Sequence, residues 1–189
     1  MRGLKENLDE LEDCKIVCSC EGAAEQAIMD ILLDNDCLMF NRDDLVRREI
    51  TRKRKAAEIK QEFLNLDYSP HKVNILRIHD SRSERFNLGP IYEERHRVFS
   101  IRTTPEIEMI LIIAEKKDTA YRKQSKSNRK PSEYCKIDLK LGNDIKSYDF
   151  WVDYFSDIDK LLDVLRRYHQ TRSDKDELGI YDLLKKEYQ

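Results

Sequence analysis

Two acidic side chains stand where hydrophobic runs break off, and a third lies one helical turn on. Glu21 follows Ile16-Val17-Cys18-Ser19-Cys20 and precedes Gly22, and Asp80 follows Val73-Asn74-Ile75-Leu76-Arg77-Ile78-His79. Glu25 sits four residues after Glu21, so a helix opening behind Gly22 lets both acids point into one space. Carboxylates gathered this way suit a hard divalent cation, Mg2+ or Mn2+, which takes one or two of them and completes its shell with water and phosphate. Each position also has an ordinary explanation. Acids are favoured in the first turn of a helix by its dipole, and aspartate is common in the turn that ends a strand.

The elements that must hold these acids follow from the pattern of apolar residues. Runs 14–20, 37–40, 73–79 and 97–102 read as strands, rich in small and β-branched residues. Ala23, Ala24, Ala27, Ile28, Ile31 and Leu32 recur at helical spacing, which predicts a helix to about Leu33. A long helix is expected over 44–66, capped by Asn41 or Asp43, and one helical turn around Tyr92. Thr104-Pro105 reads as a cap followed by proline at the first helical position, opening a deeply buried helix over 106–117. Residues 118–132 are polar and basic, the pattern of a flexible loop. Tyr148, Trp151, Val152, Phe155, Ile158, Leu162 and Leu165 form one helical face, and a short helix is expected over 178–186. This alternation defines an α/β fold with a mainly parallel, four-stranded sheet and a C-terminal helical extension. The expected organisation is an α/β domain over 1–118, with the basic loop and helices of 119–189 packing on it. In such sheets chemistry gathers at the carboxyl ends of the strands, here Glu21, Asp80 and the turn at 103–108.

The chain has 189 residues, 38% charged and 40% hydrophobic, with 5 Gly and 4 Pro. So few Gly and Pro exclude a collagen-like or low-complexity chain. Lys+Arg 35 and Asp+Glu 37 nearly cancel, so attraction to nucleic acid has to come from a local patch. Two such patches exist. One runs from Arg47 to Lys55 and includes Arg52 and Arg54; the other carries Lys116, Lys117, Arg122, Lys123, Lys126, Arg129 and Lys130. Either can track the phosphates of DNA or RNA, or be a solvated surface. No apolar run spans a membrane, and the acidic first residues lack a signal peptide's apolar core, so a cytoplasmic location is expected. The five cysteines are then expected as thiols.

The segment Ile16 to Glu25, a hydrophobic strand followed by Glu21-Gly22 with Glu25 three residues further, resembles the first motif of Toprim domains, and in its extra glutamate that of OLD-type nucleases and RloB-like proteins. Toprim domains carry Asp-x-Asp at the end of the third strand, where this chain has Asp80-Ser81-Arg82; Glu84 is the nearest acid in place of the second. Pro105-Glu106-Ile107-Glu108-Met109-Ile110-Leu111 resembles the Pro-x-Phe-Glu-x-Trp-Leu-Leu segment of RloB-like proteins, aligning Glu108 with their glutamate. The resemblance covers about residues 14–115. It implies a Mg2+- or Mn2+-dependent nuclease, of the kind found in bacterial anti-phage defence and mobile-element loci. Glu21 and Asp80 are then metal ligands, with Glu84 and Glu108 as further candidates and Glu25 as ligand or base. It also implies a partner ATPase, since no Walker A motif is present. Arginine in the place of the second acid keeps an alternative open: a catalytically inactive Toprim-like scaffold or regulatory subunit bound to that ATPase. Monomer and homo-oligomer both remain open.

Overall fold

A computed structural model describes residues 8–11, 13–81, 84–124, 129–172 and 176–189. Three of the expected strands are present: β1 (Lys15–Cys20), β2 (Val73–His79) and β3 (Val98–Arg102). All pair in parallel in the order β1-β2-β3. Alternation then sorts the side chains onto two faces. Ile16, Cys18 and Cys20 align with Asn74, Leu76 and Ile78, and the last two align with Phe99 and Ile101. This face lies in the larger core. The opposite face carries Val17, Ile75 and Val98 against Ile59, Phe63 and Leu88. Toward the carboxyl end that second face turns polar, with Ser19, Arg77 and Ser100 in register.

A fourth strand at Cys37–Phe40 is not formed. Cys37, Leu38 and Phe40 are buried, yet their backbone meets the residues near 184: the Met39 amide donates to the Leu183 carbonyl and the Lys185 amide to that of Cys37. Apolar character here reflects burial, which a short run shares whether or not it joins a sheet. The outer edge of β1 is instead covered by residues 44–51, which make isolated parallel bridges at Leu45 and Thr51. The Ile16 and Cys20 amides donate to the Asp44 and Thr51 carbonyls.

That edge contact also explains why the long helix expected over 44–66 is cut short. Arg47 and Arg48 adopt left-handed backbone angles, φ 58° and 57°, and the α-helical part, α2, covers only Ala56–Ile59, continuing as a wider turn over Lys60–Leu64. A helix through Arg48 and Arg52 would stack like charges one turn apart, whereas the open edge of β1 offers backbone groups that need partners.

α1 (Ala23–Asp34) fills the crossover from β1, and α3 (Pro90–Glu93) is the turn expected around Tyr92. The Thr104–Pro105 peptide is cis, and α4 (Met109–Ala114) begins four residues after Pro105, so this proline is not a first helical residue. The stretch expected as a loop holds two helices, α5 (Asp118–Gln124) and α6 (Pro131–Ile137); residues 125–128 between them lie outside the described set. The C-terminal apolar stripe is split into α7 (Tyr148–Tyr154) and α8 (Ile158–Thr171), with the Asp157 carboxylate accepting the Asp159 and Lys160 amides as a cap. The short helix expected over 178–186 is a 3-10 turn over Ile180–Leu183, with another at Lys186–Tyr188. α7 packs on α1 and α8 on α4, so the larger core draws on residues both before and after position 118. All five cysteines are buried thiols. Among the described residues no helix is long and apolar enough to cross a membrane.

Candidate active site at the carboxyl edge of the sheet

The strand ladder continues one residue past β1 and β3: the Glu21 amide donates to the Ile78 carbonyl and the Thr103 amide to that of His79. Asp80 and Thr103 therefore emerge level with each other, and Glu21 one residue before them, beside His79. Beyond them lies a crevice of about 190 Å³ whose lining includes Glu21, Glu25, Asp80, Glu106, Glu108 and Lys146. Five carboxylates thus come from the turns after all three strands and from the first turn of α1. Of the predicted acids, Glu21, Glu25, Asp80 and Glu108 meet here.

Glu21 is held from two sides. Its Oε2 accepts the Asp80 backbone amide at 3.1 Å, and its Oε1 accepts Arg54 Nη1 at 2.8 Å. Glu25 is buried (6% exposed), and the Thr103 hydroxyl donates to its Oε1 at 3.4 Å. Burial, joined by the charges of Glu108, Glu21 and Asp80, pushes the Glu25 carboxyl up to about 7. The helix N-terminus should favour its charged form, but burial outweighs that. Gly22 makes room for this arrangement: a Cβ there would lie 2.6 Å from Glu25 Oε2. Asp80 is raised by burial and then by the Glu21 charge beside it. Glu108 is also raised by burial, with Lys146 opposing at 3.7 Å. Glu106 Oε2 accepts the Ser132 amide at 3.0 Å, tying the start of α6 to the crevice.

Glu84 is not among these lining residues. Its carboxylate pairs with the buried Arg77 at 2.5 Å and lies 3.9 Å from His79 Nδ1. A buried guanidinium requires a partner, and Glu84 provides it. His79 is itself buried, and its ring is pushed down to about 4 by burial and by Arg77 and Arg102. Arg82 lies outside the described residues.

One basic patch meets the crevice at Arg54, which pairs with Glu21, and the other adjoins it in sequence through Ser132. Arg52 and Arg54 are exposed on the segment beyond β1. Lys130 precedes Ser132 on the β3 side and is exposed, as are Arg122 and Lys123. Arg129 is paired with Asp138 at 2.5 Å, and Lys126 lies outside the described residues. Sequence reasoning marked the turn at 103–108 without singling out Glu106 or Thr103, and it missed Lys146. The alternation Glu106-Ile107-Glu108 was a usable signal for the first; Lys146 stands in a polar stretch with no pattern to mark it.

The donor set is all carboxylate oxygen, the chemistry of Mg2+ or Mn2+, and a guanidinium already stands as a cation on Glu21. Among the described residues no three acid, histidine or cysteine groups converge as a finished metal centre. Fold and crevice together define an α/β protein with an acidic site at the carboxyl edge of a parallel sheet. Comparison with known proteins finds no matching family model, curated protein or solved structure.

Proposed function

We propose that the chain is a Toprim-like, divalent-metal-dependent nuclease acting on DNA or RNA. One observation carries this reading: Glu21, Glu25, Asp80, Glu106 and Glu108 line a single crevice at the strand ends. Glu21 and Asp80 would hold Mg2+ or Mn2+, with Glu108 as a further oxygen donor. A bound cation supplies a polarised phosphate and an acidified water for in-line attack. Glu25, with its carboxyl near 7, exchanges a proton close to neutral pH, which suits a general base or acid. Arg54, seated on Glu21 at the crevice, is placed to meet a phosphate of a backbone crossing it.

The second reading, a catalytically inactive scaffold or regulatory subunit bound to an ATPase, is favoured by one feature of the sequence: Arg82 stands where the resemblance places the second acid. A nuclease assay with Mg2+ or Mn2+ on single- and double-stranded DNA and RNA separates the two. Cleavage by the wild type that is lost in Glu21→Ala supports the nuclease. Metal binding without cleavage on any substrate supports the scaffold.

A further inference from the structure

We propose that Arg54 is the resident counter-cation of the crevice. Its guanidinium holds Glu21, yields that carboxylate to an incoming divalent ion, and then takes a phosphate of the nucleic acid. The proposal rests on the metal-dependent reading above. Both oxygens of Glu21 are occupied, one by the Asp80 amide and the other by Arg54 Nη1 at 2.8 Å. The first contact is backbone and fixed. The second is a side chain, so a cation seeking Glu21 Oε1 has to displace Arg54.

The chain around Arg54 is built for that exchange. Its base is anchored: the Ser19 hydroxyl donates to the Lys53 carbonyl at 2.7 Å, and Thr51 bridges to Ser19 of β1. Its side chain is 49% exposed, so it can rotate without opening the core. Among the described lining residues Lys146 is the cation, and it sits on Glu108 and so leaves Glu21 to Arg54. A divalent ion arriving on Glu21 repels a guanidinium beside it, and a planar fork that fits a carboxylate fits a phosphate equally well. The same side chain therefore opposes the metal in the resting protein and recruits substrate once the metal is in place.

The two roles predict effects of opposite sign from one substitution. Binding of MnCl2 alone is measured by electron paramagnetic resonance on wild type, Arg54→Gln, Arg54→Lys and Glu21→Gln. Binding of labelled single-stranded DNA and RNA oligonucleotides is measured with Ca2+ present. Losing an exposed ion pair at Glu21 is expected to tighten Mn2+ binding in Arg54→Gln by about three- to tenfold. Oligonucleotide affinity is expected to fall by a similar factor, and by less in Arg54→Lys. A purely structural Arg54 would instead lower thermal stability and weaken both. Mn2+ affinity that is unchanged in Arg54→Gln but lost in Glu21→Gln overturns the role of Arg54 and leaves the metal reading standing. Oligonucleotide affinity that is unchanged in Arg54→Gln overturns the transfer to phosphate. No Mn2+ binding by any of the four overturns both the proposal and the reading beneath it.

Discussion

Replacing Glu25 by glutamine should make the protein acid-sensitive, although it removes a titrating group. Folding holds the Glu25 carboxyl near 7, against 4.5 in a free chain. It holds the His79 ring near 4, against 6.5. The signs are opposite. Between pH 4.5 and 7 unfolding lets Glu25 ionise, so this residue makes the fold less stable as pH rises. Between pH 6.5 and 4 unfolding lets His79 take a proton, so that residue makes the fold less stable as pH falls. At about 1.4 kcal/mol per pH unit, each displacement amounts to roughly 3 kcal/mol. The two nearly cancel over pH 4.5–6.5 in the wild type. In Glu25→Gln the histidine acts alone, and the variant should lose about 2 kcal/mol between pH 6.5 and 4.5 that the wild type keeps. For a chain of this size that is about 4–8 °C in Tm. Urea unfolding at half-unit steps from pH 4.5 to 8 measures it. The difference between the two proteins cancels the titrating groups that do not couple to Glu25, leaving Glu25 with its neighbours Glu21, Asp80 and Glu108, and any constant offset from burying the amide does not alter its slope. A difference that stays level across that range refutes the reasoning.

Gly22→Ala should push the Glu25 carboxyl out of its seat, because the new Cβ meets Oε2 at 2.6 Å; the same pH series should then show a smaller Glu25 contribution and a total cost of about 1–3 kcal/mol. Replacing Lys123 and Lys130 by serine together should leave Tm in place while lowering the salt slope of oligonucleotide binding by about two. Arg129 is left intact in that variant, since it is paired with Asp138. Trp151→Ala should cost about 3–5 kcal/mol by urea titration. Trp151 is fully buried and its Nε1–H donates to the Ile145 carbonyl at 2.9 Å, so the loss should also loosen Lys146 from Glu108.

The parallel sheet was legible because β1 and β2, buried on both faces, read as mainly apolar runs, while β3 shows the alternation of a strand with one face more deeply buried than the other. Glu21 and Asp80 were legible as the first acids after such runs. Cys37–Phe40 misled because burial against the residues near 184 writes the same letters as a strand. The segment 44–51 misled in the other direction: its pairing with β1 depends on an edge that only the assembled sheet presents. Glu84 looked available because nothing in sequence says that Arg77, in mid-strand, needs a carboxylate. Lys146 reaches the crevice only because α7 packs on α1, a contact between residues far apart in the chain.

The pairing of residues 37–39 with 183–185 has a consequence for how the chain is made. The Met39 and Lys185 amides reach across almost the whole sequence, and the Arg102 amide at the end of β3 donates to the Leu178 carbonyl. All three strands and every acid of the crevice are therefore synthesised well before the segment that covers Leu38 and ties down the end of β3. Until that segment emerges, an apolar stretch after α1 stays open to solvent and to other nascent chains. Contacts this distant in sequence slow folding, and surfaces left waiting for them are where aggregation starts. Production of the protein should accordingly depend on residues 178–185 far more than their distance in sequence from Glu21 and Asp80 implies.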